Sequence, residues 1–118
     1  MENNRVLIVS DNPDRRNFLQ YHVRGCRMIP VWYPNIFSAG KAIANDSFTM
    51  IVVDLSIPVH LKVNIVRESC NHHPGIKVIT VGKKAYLEKT AVLSGCPSVM
   101  SLDSIESFPE KLAEYAGG

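Results

Sequence analysis

The chain has 118 residues, of which 46% are hydrophobic and 20% charged. That length suits one domain around one continuous core, and the composition excludes a disordered chain. Lys+Arg 13 against Asp+Glu 11 leaves a formal charge of +2 without a basic run, so direct nucleic-acid binding has little electrostatic support.

Val6-Leu7-Ile8-Val9 is a short apolar run rich in branched residues, the pattern of a strand covered on both faces. It ends at Ser10-Asp11-Asn12, and Pro13 then takes a first helical position. A helix follows over Asp14 to Arg24, with Phe18, Leu19, His22 and Val23 on one face and Gly25 as its stop. Met28 to Tyr33 reads as an edge strand because Pro30 interrupts it. Ile36 to Asn45 forms a second helix, with Ala39, Ala42 and Ile43 facing inward. Met50 to Val53 is a buried strand ending at Asp54, followed by a helix over Val59 to Cys70 with Val63 and Val66 in register. Ile76 to Val81 is the next strand, ending at Gly82, and Tyr86 to Leu93 the next helix, stopping at Gly95. Ser98 to Met100 is a short last strand. The final helix carries Phe108, Leu112 and Tyr115, with Pro109 in its first turn and Ser107-x-x-Glu110 as a capping box, and Gly117-Gly118 lies beyond it without structure.

Strands alternating with helices in one short chain predict an α/β domain, a doubly wound five-stranded parallel sheet with helices on both faces. The domain takes in residues 1–118, with its core over about 5–116. No run approaches the ~20 apolar residues of a membrane span, and the opening run is too short for a signal peptide. The expected setting is soluble and cytoplasmic. Cys26, Cys70 and Cys96 lack Cys-x-x-Cys spacing. They read as reduced thiols, and His72 and His73 have no cysteine at zinc-finger spacing.

Such sheets bind ligands beyond the carboxyl ends of their strands. The residues leaving those ends are Ser10 and Asp11, Asp54, Thr80 to Lys83, and Ser101 to Asp103. An aspartate directly after Ile-Val-Val meets low dielectric on one side, so its charge needs a partner. A shared proton, a nearby Lys or Arg, or a divalent cation such as Mg²⁺ would each serve. Asp11 has a plainer alternative, as the cap of the first helix. The acidic, glycine-free turn over residues 10–16 weakens nucleotide- and flavin-binding readings.

From Val6 to about Ala116 the chain resembles the receiver domain of bacterial two-component response regulators. Val6 to Pro13 is similar to the family's opening strand and acidic pair, and Arg15-Arg16 to what commonly follows. Val53-Asp54-Leu55-Ser56-Ile57-Pro58 is similar to the phospho-acceptor segment, and Val78-Ile79-Thr80 to the strand that supplies a conserved hydroxyl. The resemblance implies a flavodoxin-like, CheY-like fold with strand order 2-1-3-4-5. It also implies a phospho-acceptor at Asp54, a phosphoryl contact at Thr80, and Mg²⁺ held by Asp11, Asp54 and the Ser56 carbonyl. Histidine kinases or other signalling proteins are the implied partners, with an output module elsewhere in the protein or a homodimer as further ones.

Four positions depart from the family pattern. Ser10 replaces the first acid, Val81 a small residue, Val99 the switch aromatic, and Leu102 the pocket lysine. An apolar residue there forgoes a charge-assisted contact worth roughly 1.5–3 kcal/mol. Lys83 or Lys84 is a candidate replacement, against the plainer reading of solvated lysines at a helix start. The expectation is an atypical receiver that signals by docking, with Asp54 phosphorylation reduced or absent. A working Mg²⁺-dependent phospho-acceptor is the alternative, and a small flavodoxin-like enzyme a remote one. The expected docking face includes Tyr86, Lys89, Val99 and Tyr115, and Trp32 and Tyr33 read as either contact patch or core.

Overall fold

The computed structural model describes residues 4–54, 56–82 and 99–117. Five strands, β1 (Arg5–Ser10), β2 (Ile29–Tyr33), β3 (Met50–Asp54), β4 (Lys77–Val81) and β5 (Val99–Leu102), form one sheet in the order β2-β1-β3-β4-β5. Every neighbouring pair is parallel. The described helices are α1 (Pro13–Gly25), α2 (Ile36–Asn45), α3 (Val59–His72) and α4 (Phe108–Gly117), the last preceded by a 3-10 turn at Ile105–Ser107. Both the doubly wound sheet and its strand order are as expected.

The apolar runs are continuous because β1 and β3 feed two cores at once. Leu7, Val9, Ile51, Val53 and Val78 pack on one face with α2 and α3 residues, Ala39, Ala42, Ile43, Ile65 and Val66 among them. Val6, Ile8, Val52, Ile79, Val81 and Leu102 pack on the other with Leu19 and Val23 of α1 and Phe108 and Leu112 of α4. This alternation is the period of two expected of extended backbone. Edge strand β2 tolerates Pro30 because one side of its backbone needs no ladder partner.

Several local expectations change. Helix α1 ends at Gly25, as expected, but the left-handed conformation common at helix ends lies beyond it. That conformation belongs to Arg27 (φ 60), while the Cys26 and Arg27 amides donate to the Val23 and Arg24 carbonyls. Helix α3 runs past Cys70 to His72. Strand β5 extends through Ser101 and Leu102, which pair with Thr80 and Val81 instead of lying in a loop. Ser107 does not open a capping box. It closes the 3-10 turn, whose cap is Ser104 accepting from the Glu106 amide, and α4 includes Gly117. Cys70 is disulfide-bonded, against the expectation of reduced thiols, whereas Cys26 is free. The helix expected over Tyr86 to Leu93 lies outside the described residues. Among those residues no helix is long and apolar enough to cross a membrane.

Helix α1 starts where Asn12 Oδ1 accepts from the Asp14 and Arg15 amides at 3.0 and 3.1 Å. Asn12→Ala should therefore cost about 1 kcal/mol of stability, read by urea denaturation. An unchanged denaturation midpoint would show that the cap does not hold the first turn.

Candidate functional site

At the carboxyl end of the sheet, the register sets Ser10 opposite Asp54. Both side chains leave on the face covered by α1, as Ile8 and Val52 do one alternation earlier. Ser10 is fully buried and Asp54 only 5% exposed. A carboxylate so placed needs compensation from the protein.

Arg15, in the first turn of α1, supplies it. Its Nε donates to Asp54 Oδ2 at 2.8 Å and its Nη2 to Oδ1 at 2.7 Å, a bidentate fork. Ser10 Oγ donates to Asp54 Oδ2 at 3.3 Å. The hydrogen bonds from Arg15 to Asp54 are the largest influence on the guanidinium and raise its pKa, partly offset by desolvation. The charges of Asp54, Glu106 and Asp11 act in the same raising direction.

Asp11 is not the helix cap, a role that Asn12 fills. Asp11 is exposed, and its Oδ2 accepts from the Ser56 amide at 3.4 Å. The two aspartates and Ser56 thus line one cleft of about 800 Å³, together with Arg15, Lys62 and Val81. Lys62, from the first turn of α3, is 8% exposed. Burial lowers its pKa, while the negative charges of Asp54 and Asp11 pull it back up.

The altered positions have distinct fates. Leu102 is 2% exposed and packed into the α1–α4 core beside Val81. Val99 packs half-buried against the α2–α3 core. Thr80 pairs with Val53, which points its side chain to the face opposite Asp54. Its Oγ1 is fully buried and has no hydrogen-bond partner among the described residues. Lys83, Lys84, Tyr86 and Lys89 lie outside the described residues. Tyr115 is half-buried against the α1–α4 core. Trp32 is half-buried there too, donating from Nε1 to the Ser10 carbonyl at 2.9 Å with Arg16 stacked over its ring.

Arg15 and Lys62 were not singled out by the sequence. The signal for Arg15 was its place in the turn of helix directly after the acidic strand end. Lys62 gave none, since a lysine in a helix normally reads as solvated.

A divalent cation does not fit this arrangement of Asp54. Mg²⁺ demands oxygen ligands at about 2.0–2.1 Å in a near-octahedral shell, and both Asp54 oxygens already accept from Arg15. Among the described residues no group of three His, Cys, Asp or Glu side chains is gathered to hold a metal.

No protein-family model matches the chain, and no curated protein matches its sequence. Solved structures do match. A CheY-like receiver domain from Methanospirillum hungatei superposes with a TM-score of 0.77 at 19% identity, covering 98% of this chain and 95% of that one. The receiver domain of a sensor histidine kinase from Pseudomonas aeruginosa, with magnesium coordinated in its active-site cleft, gives 0.73 at 16%, covering 99% and 100%. A de novo designed Rossmann 2x3 protein gives 0.76 at 11%, covering 97% and 90%. The chain therefore has the receiver, CheY-like fold. That a designed protein superposes equally well shows that the fold alone specifies no activity.

Asp54 is buried and Arg15 half-exposed (39% for its side chain), so their bond falls between a surface pair and a buried one. A double-mutant cycle of Arg15→Ala and Asp54→Asn should return a coupling of about 1–3 kcal/mol in urea denaturation. A value near zero would show that the fork is not formed in solution. Since folding lowers the Lys62 pKa, the unfolded chain holds the extra proton between that lowered value and the ordinary lysine value. Stability from this group rises with pH through that window. Lys62→Met should raise the melting temperature at neutral pH, and the gain should shrink as pH climbs toward the ordinary lysine range. A gain independent of pH would disprove the assignment.

Proposed function

We propose that this chain is a receiver-like signalling domain of the two-component type that acts by docking partner proteins, with phosphorylation of Asp54 impaired. The bidentate Arg15–Asp54 pair carries this reading. A carboxylate attacking a phosphoryl donor needs a free oxygen lone pair aimed at phosphorus, and here both oxygens face a guanidinium. The cleft also lacks the ammonium that would receive a phosphoryl oxygen from the β5 end, because Leu102 is committed to the core. The reading is of a binding module, not an enzyme. Its partners would be a histidine kinase or another signalling protein, or an output module of the same protein.

A second reading, a working phospho-acceptor, draws on two other observations. Thr80 keeps a buried hydroxyl with no partner among the described residues, and Lys62 brings an ammonium into the cleft from α3 instead of β5. Lys62 would receive a phosphoryl oxygen directly, whereas Thr80 would first have to turn from the face opposite Asp54. For them to serve, Arg15 must first leave Asp54.

Acetyl phosphate or beryllofluoride with Mg²⁺ separates the two. Under the docking reading, intact mass shows no stable phosphoryl adduct and amide NMR spectra stay unchanged around Asp54, Thr80 and Lys62. Mg²⁺-dependent modification that disappears in Asp54→Asn would establish the second reading instead.

A further inference from the structure

Deepening the docking reading, on which it rests, a charge inventory of the cleft leads to a more specific statement about Arg15. Among the described residues, two carboxylates, Asp11 and Asp54, line the cleft, and so do two side-chain cations, Arg15 and Lys62. The remaining position at the strand end is Ser10, whose hydroxyl is neutral and donates to Asp54. The formal charges of these described side chains cancel one another.

The two cations differ in how they are held. Arg15 occupies both oxygens of Asp54 at hydrogen-bonding distance. Lys62 is more than nine-tenths buried and faces the cleft under the influence of both carboxylates. A divalent ion entering this space would meet two fixed positive charges and only one carboxylate, Asp11, free of a guanidinium. It would also compete against a side chain tethered to the neighbouring helix, whose local concentration is far above that of any free ion.

We infer that Arg15 is a built-in cation standing where a divalent ion would bind, so that the cleft is metal-independent as built and becomes a divalent-cation site once Arg15 is removed. Asp54 then regains two free oxygens next to Asp11, and the net charge of the cleft falls by one. Both changes favour a small hard cation.

Mn²⁺ titration of ¹⁵N-labelled protein tests this, because a bound paramagnetic ion broadens nearby amide signals. Trp32 is the single tryptophan, and its indole N–H rests on the Ser10 carbonyl beside the cleft, which makes it a resolved reporter. In the wild type, Mn²⁺ should leave Asp11, Asp54, Ser56 and the indole signal unbroadened. In Arg15→Gln the same signals should broaden saturably, with affinity raised by about tenfold or more, and adding Asp54→Asn should abolish the effect. Arg15→Met, which retains the aliphatic stem, serves if the glutamine variant does not fold. Saturable broadening in the wild type at comparable affinity would overturn the inference, as would a folded Arg15 variant that binds no Mn²⁺. No phosphoryl donor is present, so either failure is separate from failure of the docking reading, which the acetyl phosphate experiment decides.

Discussion

The fork between Arg15 and Asp54 is the contact on which the character of the cleft depends. Asp54 ends a strand whose five residues are all buried, so its negative charge must be answered at close range. A mobile ion or a tethered side chain would each satisfy the electrostatics, and this protein uses the side chain. The choice has a local cost. Arg15 lies in the first turn of α1, where the helix dipole disfavours a cation by about 0.3–1 kcal/mol. The coupling of about 1–3 kcal/mol expected of this partly exposed fork outweighs that penalty. A residue breaking the ordinary charge preference of a helix end is a mark of a specialised site.

Much of the fold was legible because buried parallel strands have a strong sequence pattern. Met50 to Val53 and Val6 to Val9 could be placed from apolar runs alone, and α2 matched its expected span with Ala39, Ala42 and Ile43 buried. The misplaced boundaries came from competing local solutions. Ser104 took the capping role assigned to Ser107, and α3 ran past Cys70 to His72. The length of β5 was hidden because Ser101 and Leu102 look like a loop until Thr80 and Val81 are seen to need partners.

The site was legible in part. That Asp54 requires a counter-charge followed from one-dimensional reasoning, and so did the list of groups able to provide it. Which group does so depends on the packing of α1 against the sheet, and this is where sequence reading ended. Lys83 and Lys84, candidates by their place just beyond β4, lie outside the described residues. Lys62 lines the cleft from α3, and only the assembled layers bring that helix start there. A Cys70 disulfide was likewise invisible, because no spacing rule joins cysteines that meet only through the fold.

Similarity of architecture to receiver domains and to a designed protein alike means that function rests on these few side chains and not on the sheet. The most direct measurement of the central contact is the Arg15 Nε–H signal in ¹⁵N NMR. A proton held against Asp54 Oδ2 should exchange slowly with water and stay unmoved when Mg²⁺ is added. Exchange as fast as that of the solvated arginines, or a shift on adding Mg²⁺, would contradict a cleft neutralised by its own side chains.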